Sequence, residues 1–148
     1  MEKTFTRVRT TRDIIISLIV FAGGCVLITV PTSAAINVCG FFLLFSGMIL
    51  YVALHTGYID EESGIKYRKK EHYFAQSLRD DVTKAISSKP DSLDLSKEDK
   101  GNGLRLDIYH CKNDNKVYLQ LFEYIPYTYE PCSGVYEYHI SEVSKLLK

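Results

Sequence analysis

Residues 14–55 contain no Asp, Glu, Lys or Arg, and that gap limits what the chain can fold into more than any other feature. All 18 basic and 18 acidic residues therefore lie in the first 13 positions and in residues 56–148. The mean hydropathy of -0.06 averages a very apolar third with a polar remainder. A single soluble globule of 148 residues is excluded, and so is a chain wholly embedded in lipid. About 90 residues are left for a soluble module, enough for one small core.

Two apolar runs fill the gap, Ile14–Val30 and Ala34–Leu54. At the helical rise their lengths are roughly 26 and 32 Å, close to the ~30 Å of a bilayer's hydrocarbon core. Lipid offers the backbone no hydrogen-bond partners, so each run must satisfy itself as a helix. Between them stand only Pro31, Thr32 and Ser33. Proline stops the first helix, and Thr32 or Ser33 supplies a capping oxygen for the second. The prediction is a tight transmembrane hairpin.

Basic flanks orient it. Lys3, Arg7, Arg9 and Arg12 precede the first run, the cluster Lys66, Arg68, Lys69 and Lys70 follows the second, and the connection has no charge. The positive-inside rule then puts both termini in the cytoplasm, in the inner membrane if the cell is bacterial. The same Lys66–Lys70 cluster, with Tyr73 and Phe74 beyond it, is also a candidate contact with anionic headgroups. A cleavable signal ending near Ser33-Ala34-Ala35 is the weaker reading, because the second run would still anchor the product. Ala22-Gly23-Gly24-Cys25 resembles a lipoprotein box only loosely, with Ala22 where leucine is usual. Gly23 and Gly24 read more simply as small residues that let the helices approach, and Gly40 and Gly47 as a face for the first helix or for a second copy. No ionisable side chain stands within either run, which argues against a proton or ion pathway.

The division expected is a basic N-terminus (1–13), the hairpin (14–55, with helices 14–30 and 34–54), a basic connector (56–70) and an α+β cytoplasmic domain (71–148). In that domain Phe74, Leu78, Val82 and Ile86 recur every fourth residue, predicting a helix from about Glu71 to Ser87. Ser88–Gly103 is rich in turn formers and reads as a mobile loop, with Leu93 and Leu95 able to dock part of it. Leu104, Leu106 and Ile108, then Val117, Leu119 and Leu121, alternate with polar or aromatic neighbours around Lys112-Asn113-Asp114-Asn115. That pattern is an antiparallel hairpin. Further strands follow near Tyr127–Tyr129 and Val135–His139, making three or four in all. Ser141 could cap a last helix carrying Val143, Leu146 and Leu147.

The chemistry-bearing residues are sparse. His110 and Cys111 are adjacent on a strand and so point to opposite faces, while Cys132 and His139 stand seven apart across a turn. Neither spacing suits zinc, and no nucleophile elbow accompanies Cys132. Gly101-Asn102-Gly103 lacks the phosphate-loop pattern. Asp80 and Asp81 do not share a helix face. No catalytic residue, metal site, cofactor or small-molecule substrate is expected, and the reading is of a protein that is not an enzyme. From residue 56 onward 14 basic residues face 16 acidic ones, which argues against nucleic acid.

The remaining signal is Phe122–Tyr138, with five of the chain's 11 tyrosines. Tyrosine joins a large apolar body to a polar tip at low entropic cost and is enriched at interfaces. Tyr118, Phe122, Tyr124, Tyr127, Tyr129, Tyr136 and Tyr138 are therefore candidates for binding a partner protein or a second copy. The expected function is non-enzymatic: a multi-pass membrane protein that anchors a small α+β interaction module at the cytoplasmic face, as subunit or adaptor of a larger assembly. The alternative is a membrane-active effector, or an immunity-type protein, oligomerising through its hairpin.

Overall fold

A computed structural model describes residues 3–30, 33–101, 103–111 and 113–148. Pro31 and Thr32 of the expected turn, Lys112 of the strand hairpin and Asn102 of the glycine pair lie outside the described residues. The chain forms two compact units. One is Arg7–Gly57; the other joins Tyr58–Lys148 to the chain's first residues, up to Thr6.

The first unit holds α1 (Thr11–Thr29) and α2 (Ala34–Ala53), both long and apolar enough to cross a membrane. α1 starts earlier than its apolar run because Thr10 and Asp13 form a reciprocal capping box. Ser33 is the N-cap of α2, but its side chain makes no capping bond. The two helices pack through glycine. A Cβ on Gly24 would fall 2.4 Å from the backbone nitrogen of Leu44, and one on Gly47 2.6 Å from that of Phe21. Gly40 meets Leu27 and Ile28 in the same seam, whereas Gly23 has no neighbour within 4 Å and takes no part. Large apolar side chains face outward instead of inward, with Phe42 71% and Val52 70% exposed.

The second unit is an antiparallel sheet with one helix. Its strands are β1 (Phe5–Val8), β2 (Gly57–Asp60), β3 (Lys66–Phe74), β4 (Leu104–Cys111), β5 (Lys116–Ile125), β6 (Thr128–Pro131) and β7 (Tyr136–His139). They run in the order β1-β2-β3-β4-β5-β6, with β7 also paired to β5. The β4–β5 hairpin has the expected register, Ile108 opposite Leu119 and Tyr109 opposite Tyr118. Leu104, Leu106, Ile108, Val117, Leu119 and Leu121 all point to one face and are completely buried.

The helix predicted from Glu71 is shorter and later: α3 spans Arg79–Ser88, after a 3-10 turn at Gln76–Leu78. Residues 66–74 are strand because they alternate as well as any in the chain. His72 and Phe74 turn to the core, and Tyr67, Lys69, Glu71 and Tyr73 to the other side. The four-residue spacing that suggested one helix is burial shared among three elements. Phe74 comes from β3, Leu78 from the 3-10 turn, and Val82 and Ile86 from α3. Residues 56–70 are likewise not a plain connector, since they supply β2 and the start of β3.

The 88–103 segment is pinned to the fold. It contains 3-10 turns at Pro90–Ser92 and Leu95–Lys97, Leu93 is buried, and Asp91 accepts a hydrogen bond from the Lys145 backbone at 3.0 Å. The last helix is a single 3-10 turn, Ile140–Glu142, capped by His139 and not Ser141, yet Val143 and Leu146 beyond it are fully buried.

Candidate interaction face

α3, the 3-10 turns and the C-terminal residues all cover the same side of the sheet. Strand alternation sends the other set of side chains to the far side, where a second cluster forms from strand residues and their connections, with no helix residue in it. This far face is where most of the aromatic residues gather, in two groups separated by charges.

The first group lies toward β1. Tyr67, Tyr109 and Tyr118 are buried there, packed with Phe5, Tyr58, Ile65, Cys111 and Val135. Phe5 stacks on Tyr109 at 4.0 Å between centroids and meets Tyr67 edge-on at 5.6 Å. The Tyr67 hydroxyl donates to Asp114 at 2.8 Å, and burial pushes Tyr67 and Tyr109 above the ordinary tyrosine range. Lys3 lies 5.1 Å from the Tyr118 ring centroid and pairs with the buried Asp60 at 2.6 Å. These contacts tie the chain's first residues into the sheet.

The charged band crosses β3 and β4. Lys69 Nζ reaches Asp107 at 2.8 Å and Glu71 at 2.6 Å, and Arg105 grips Asp107 with two nitrogens at 2.9 and 3.2 Å. Asp107 is only 1% exposed. Burial pushes its carboxyl above the ordinary value, against the opposing pull of Lys69 and then Arg105. For Glu71 burial also acts upward, but Lys69 and Tyr73 outweigh it and hold the group below its ordinary value.

The second group lies beyond Arg105. Its guanidinium is 4.5 Å from the Tyr129 ring centroid and 4.9 Å from that of Phe122, so it lies within cation–π reach of both rings. Tyr129 meets Tyr124 edge-on at 5.3 Å and Tyr73 at 6.4 Å. The Tyr73 hydroxyl donates to Glu71, which together with burial pushes it up to about 12. Phe122, Tyr124, Tyr129 and Tyr73 are all half-buried, so each still presents part of its ring. Tyr127, at the tip of the β5–β6 turn, is 98% exposed and holds a positive φ of 78°. That conformation is rare for a tyrosine.

The seven tyrosine and phenylalanine candidates thus part company. Phe122, Tyr124 and Tyr129 form one patch, and Tyr127 stands beside it on the turn. Tyr118 belongs to the other cluster and is 3% exposed, unable to offer its ring to a partner. Tyr136 and Tyr138 pack on the helix side, where the Tyr138 hydroxyl donates to the Ile86 carbonyl at 2.8 Å. Sequence reasoning missed Arg105, and named Tyr73 only beside the basic cluster and not with these rings. The alternation of 104–108 did mark Arg105 as facing away from the core, but its strand neighbours had to be known before it could be set against two rings.

The basic cluster also divides. Lys66 and Arg68 are exposed and Lys70 half-buried on one side of β3, while Lys69 turns to the other and is consumed by Asp107 and Glu71. Cys111 and Cys132 pack into different clusters on opposite sides of the sheet, and both are free thiols. Among the described residues no group of three or more His, Cys, Asp or Glu side chains is placed to hold a metal ion. No protein-family model, curated protein or solved structure matches the chain.

Proposed function

We propose that the chain is a non-enzymatic membrane protein whose helical pair spans the bilayer, with both termini cytoplasmic, and whose sheet module binds a partner protein through the Tyr73–Arg105–Phe122–Tyr124–Tyr129 patch. The observation that carries the reading is the one-sided covering of the sheet: every helix of the unit lies on the side away from that patch. Arginine and tyrosine are the side chains most often found at binding hot spots. Here the guanidinium is already held by Asp107 and two rings, so little further entropy is lost on binding. The outward-facing Phe42 and Val52 of the helical pair support the membrane reading, since such side chains need an apolar surrounding. The alternative of an effector that oligomerises through Gly40 and Gly47 is less well supported, because α1 already occupies those glycines.

The test compares Tyr129→Ala and Phe122→Ala with the unaltered protein. Detergent-solubilised full-length chain is captured, and the co-purifying subunits are identified. A partner retained by the unaltered chain should be lost from both variants, with binding weakened by about 2 kcal/mol or more at a true hot spot. The thermal midpoint of the variants should change little. Loss of folding in both, with no separable loss of binding, would make these rings structural.

A further inference from the structure

We propose that the helical pair carries a site for one anionic phospholipid, its phosphate on Arg9 and an acyl chain in the groove beneath Tyr51. The inference rests on the reading of the pair as membrane-spanning. α1 and α2 leave a groove of about 410 Å³ between them, lined by Leu18, Phe21, Gly47, Met48, Tyr51 and Val52. Apart from Ser17, whose hydroxyl is spent on the Asp13 carbonyl at 2.8 Å, the lining is apolar: Leu18, Phe21 and Val52, the Met48 thioether, the Gly47 backbone and the Tyr51 ring. Its size falls within the ~300–1,000 Å³ common for ligand clefts.

Tyr51 also links the groove to a charge. The Arg9 guanidinium carbon lies 4.1 Å from its ring centroid. Arg9 has no carboxylate partner among the described residues, and its Nε is buried with no hydrogen-bond partner. Asp13, the acidic residue of this unit, is already committed. It accepts from the Thr10 and Thr56 backbones at 2.9 and 3.0 Å and from the Thr56 hydroxyl at 2.7 Å. The Nε is enclosed, so an anion from outside would meet the terminal nitrogens of Arg9, and the two non-bridging oxygens of a phosphate diester match that planar fork. An apolar slot ending under an unneutralised arginine therefore fits an acyl chain with an anionic head. A zwitterionic lipid such as phosphatidylcholine carries the same diester but brings its own choline cation, which offsets that charge and leaves Arg9 less well neutralised.

The experiment purifies the full-length chain in mild non-ionic detergent and offers it equal amounts of phosphatidylglycerol and phosphatidylcholine. Native mass spectrometry then counts the lipids retained. One phosphatidylglycerol should be kept in preference to phosphatidylcholine. Arg9→Gln should lower its retention roughly fivefold, whereas Arg12→Gln, which removes an exposed charge of the same end, should not. Val52→Trp, filling the groove at an exposed position, should expel the lipid with Arg9 intact. Inorganic phosphate and glycerophosphate should fail to compete; competition by either would mean a phosphate site with no acyl groove. Equal losses in Arg9→Gln and Arg12→Gln, or no preference between the two lipids, would overturn the site while leaving the hairpin in the membrane. Recovery of the chain in the aqueous fraction without detergent would overturn the membrane reading and the lipid site with it.

Discussion

Replacing Lys69 with methionine should destabilise the sheet module by about 3 kcal/mol, because it strands a buried carboxylate. Asp107 is 1% exposed and sits between Lys69 at 2.8 Å and Arg105 at 2.9 Å. Arg105 is itself drawn toward Phe122 and Tyr129, and alone it answers only part of the charge. The loss should depend on pH with a definite sign. Burial already raises Asp107 above its unfolded value, so the folded state holds that proton more tightly. Stability contributed by the protonated form is present at low pH and disappears as pH rises through the folded value. Without Lys69 that window moves upward, and the deficit should be largest at neutral pH and shrink on acidification. Adding Asp107→Asn to Lys69→Met should recover most of the loss, since the charge that needed an answer is gone. Urea unfolding of the full chain in non-ionic detergent, followed by circular dichroism at several pH values, checks all three statements. A Lys69→Met variant as stable as the parent at neutral pH would show that the band is solvated and not a buried pair.

Phe5→Ala should be nearly as damaging, at about 2–3 kcal/mol, though the residue lies at the extreme start of the chain. Its ring stacks on Tyr109 and meets Tyr67 and Tyr118, so its removal opens a cavity over three buried tyrosines. Near-ultraviolet dichroism should weaken as those rings lose their fixed surroundings, and the urea midpoint should fall. For the same reason a fragment beginning at Lys66, which lacks Phe5, Tyr58 and Ile65, should be less stable than the module in the whole chain. An unchanged midpoint in Phe5→Ala would detach the N-terminal strand from the module.

What could be read from the sequence follows from how local each cause is. The two apolar helices were legible because a charge-free run and its length are properties of consecutive residues, and the observed Thr11–Thr29 and Ala34–Ala53 lie close to the expected bounds. The β4–β5 hairpin was legible because alternation and turn residues are local too. The extent of the sheet was not. β1 and β2 are four residues each, and Phe5 acquires its role only from Tyr109, more than a hundred residues away. The error at Glu71–Phe74 had another cause. Phe74, Leu78, Val82 and Ile86 share a core, and shared burial imitates helical periodicity when a strand runs directly into a helix.

For the candidate site, the alternation of β5 correctly sent Phe122 and Tyr124 away from Val117, Leu119 and Leu121. It could not separate them from Tyr118 on the same face, because β1 and β2 bury one end of that face and leave the other half-covered. Tyr136 and Tyr138 lie apart from that patch for a topological reason. β7 pairs with β5 in a register that sets them beside Leu119 and Val117, on the helix side. Arg105 passed unnoticed since a single arginine in an alternating strand is unremarkable until its ring neighbours are known.

The central claim, a membrane-anchored module that engages a protein through its tyrosine patch, is tested most directly by photo-crosslinking in living cells. A photoreactive phenylalanine analogue is placed at Tyr129, on the patch, and separately at Tyr138, on the helix side of the sheet. The account predicts one discrete crosslinked species from position 129, recovered in the membrane fraction, absent from position 138, and lost when Phe122→Ala is added. Crosslinking of equal yield at both positions, a species unaffected by Phe122→Ala, or no species at position 129 would contradict it.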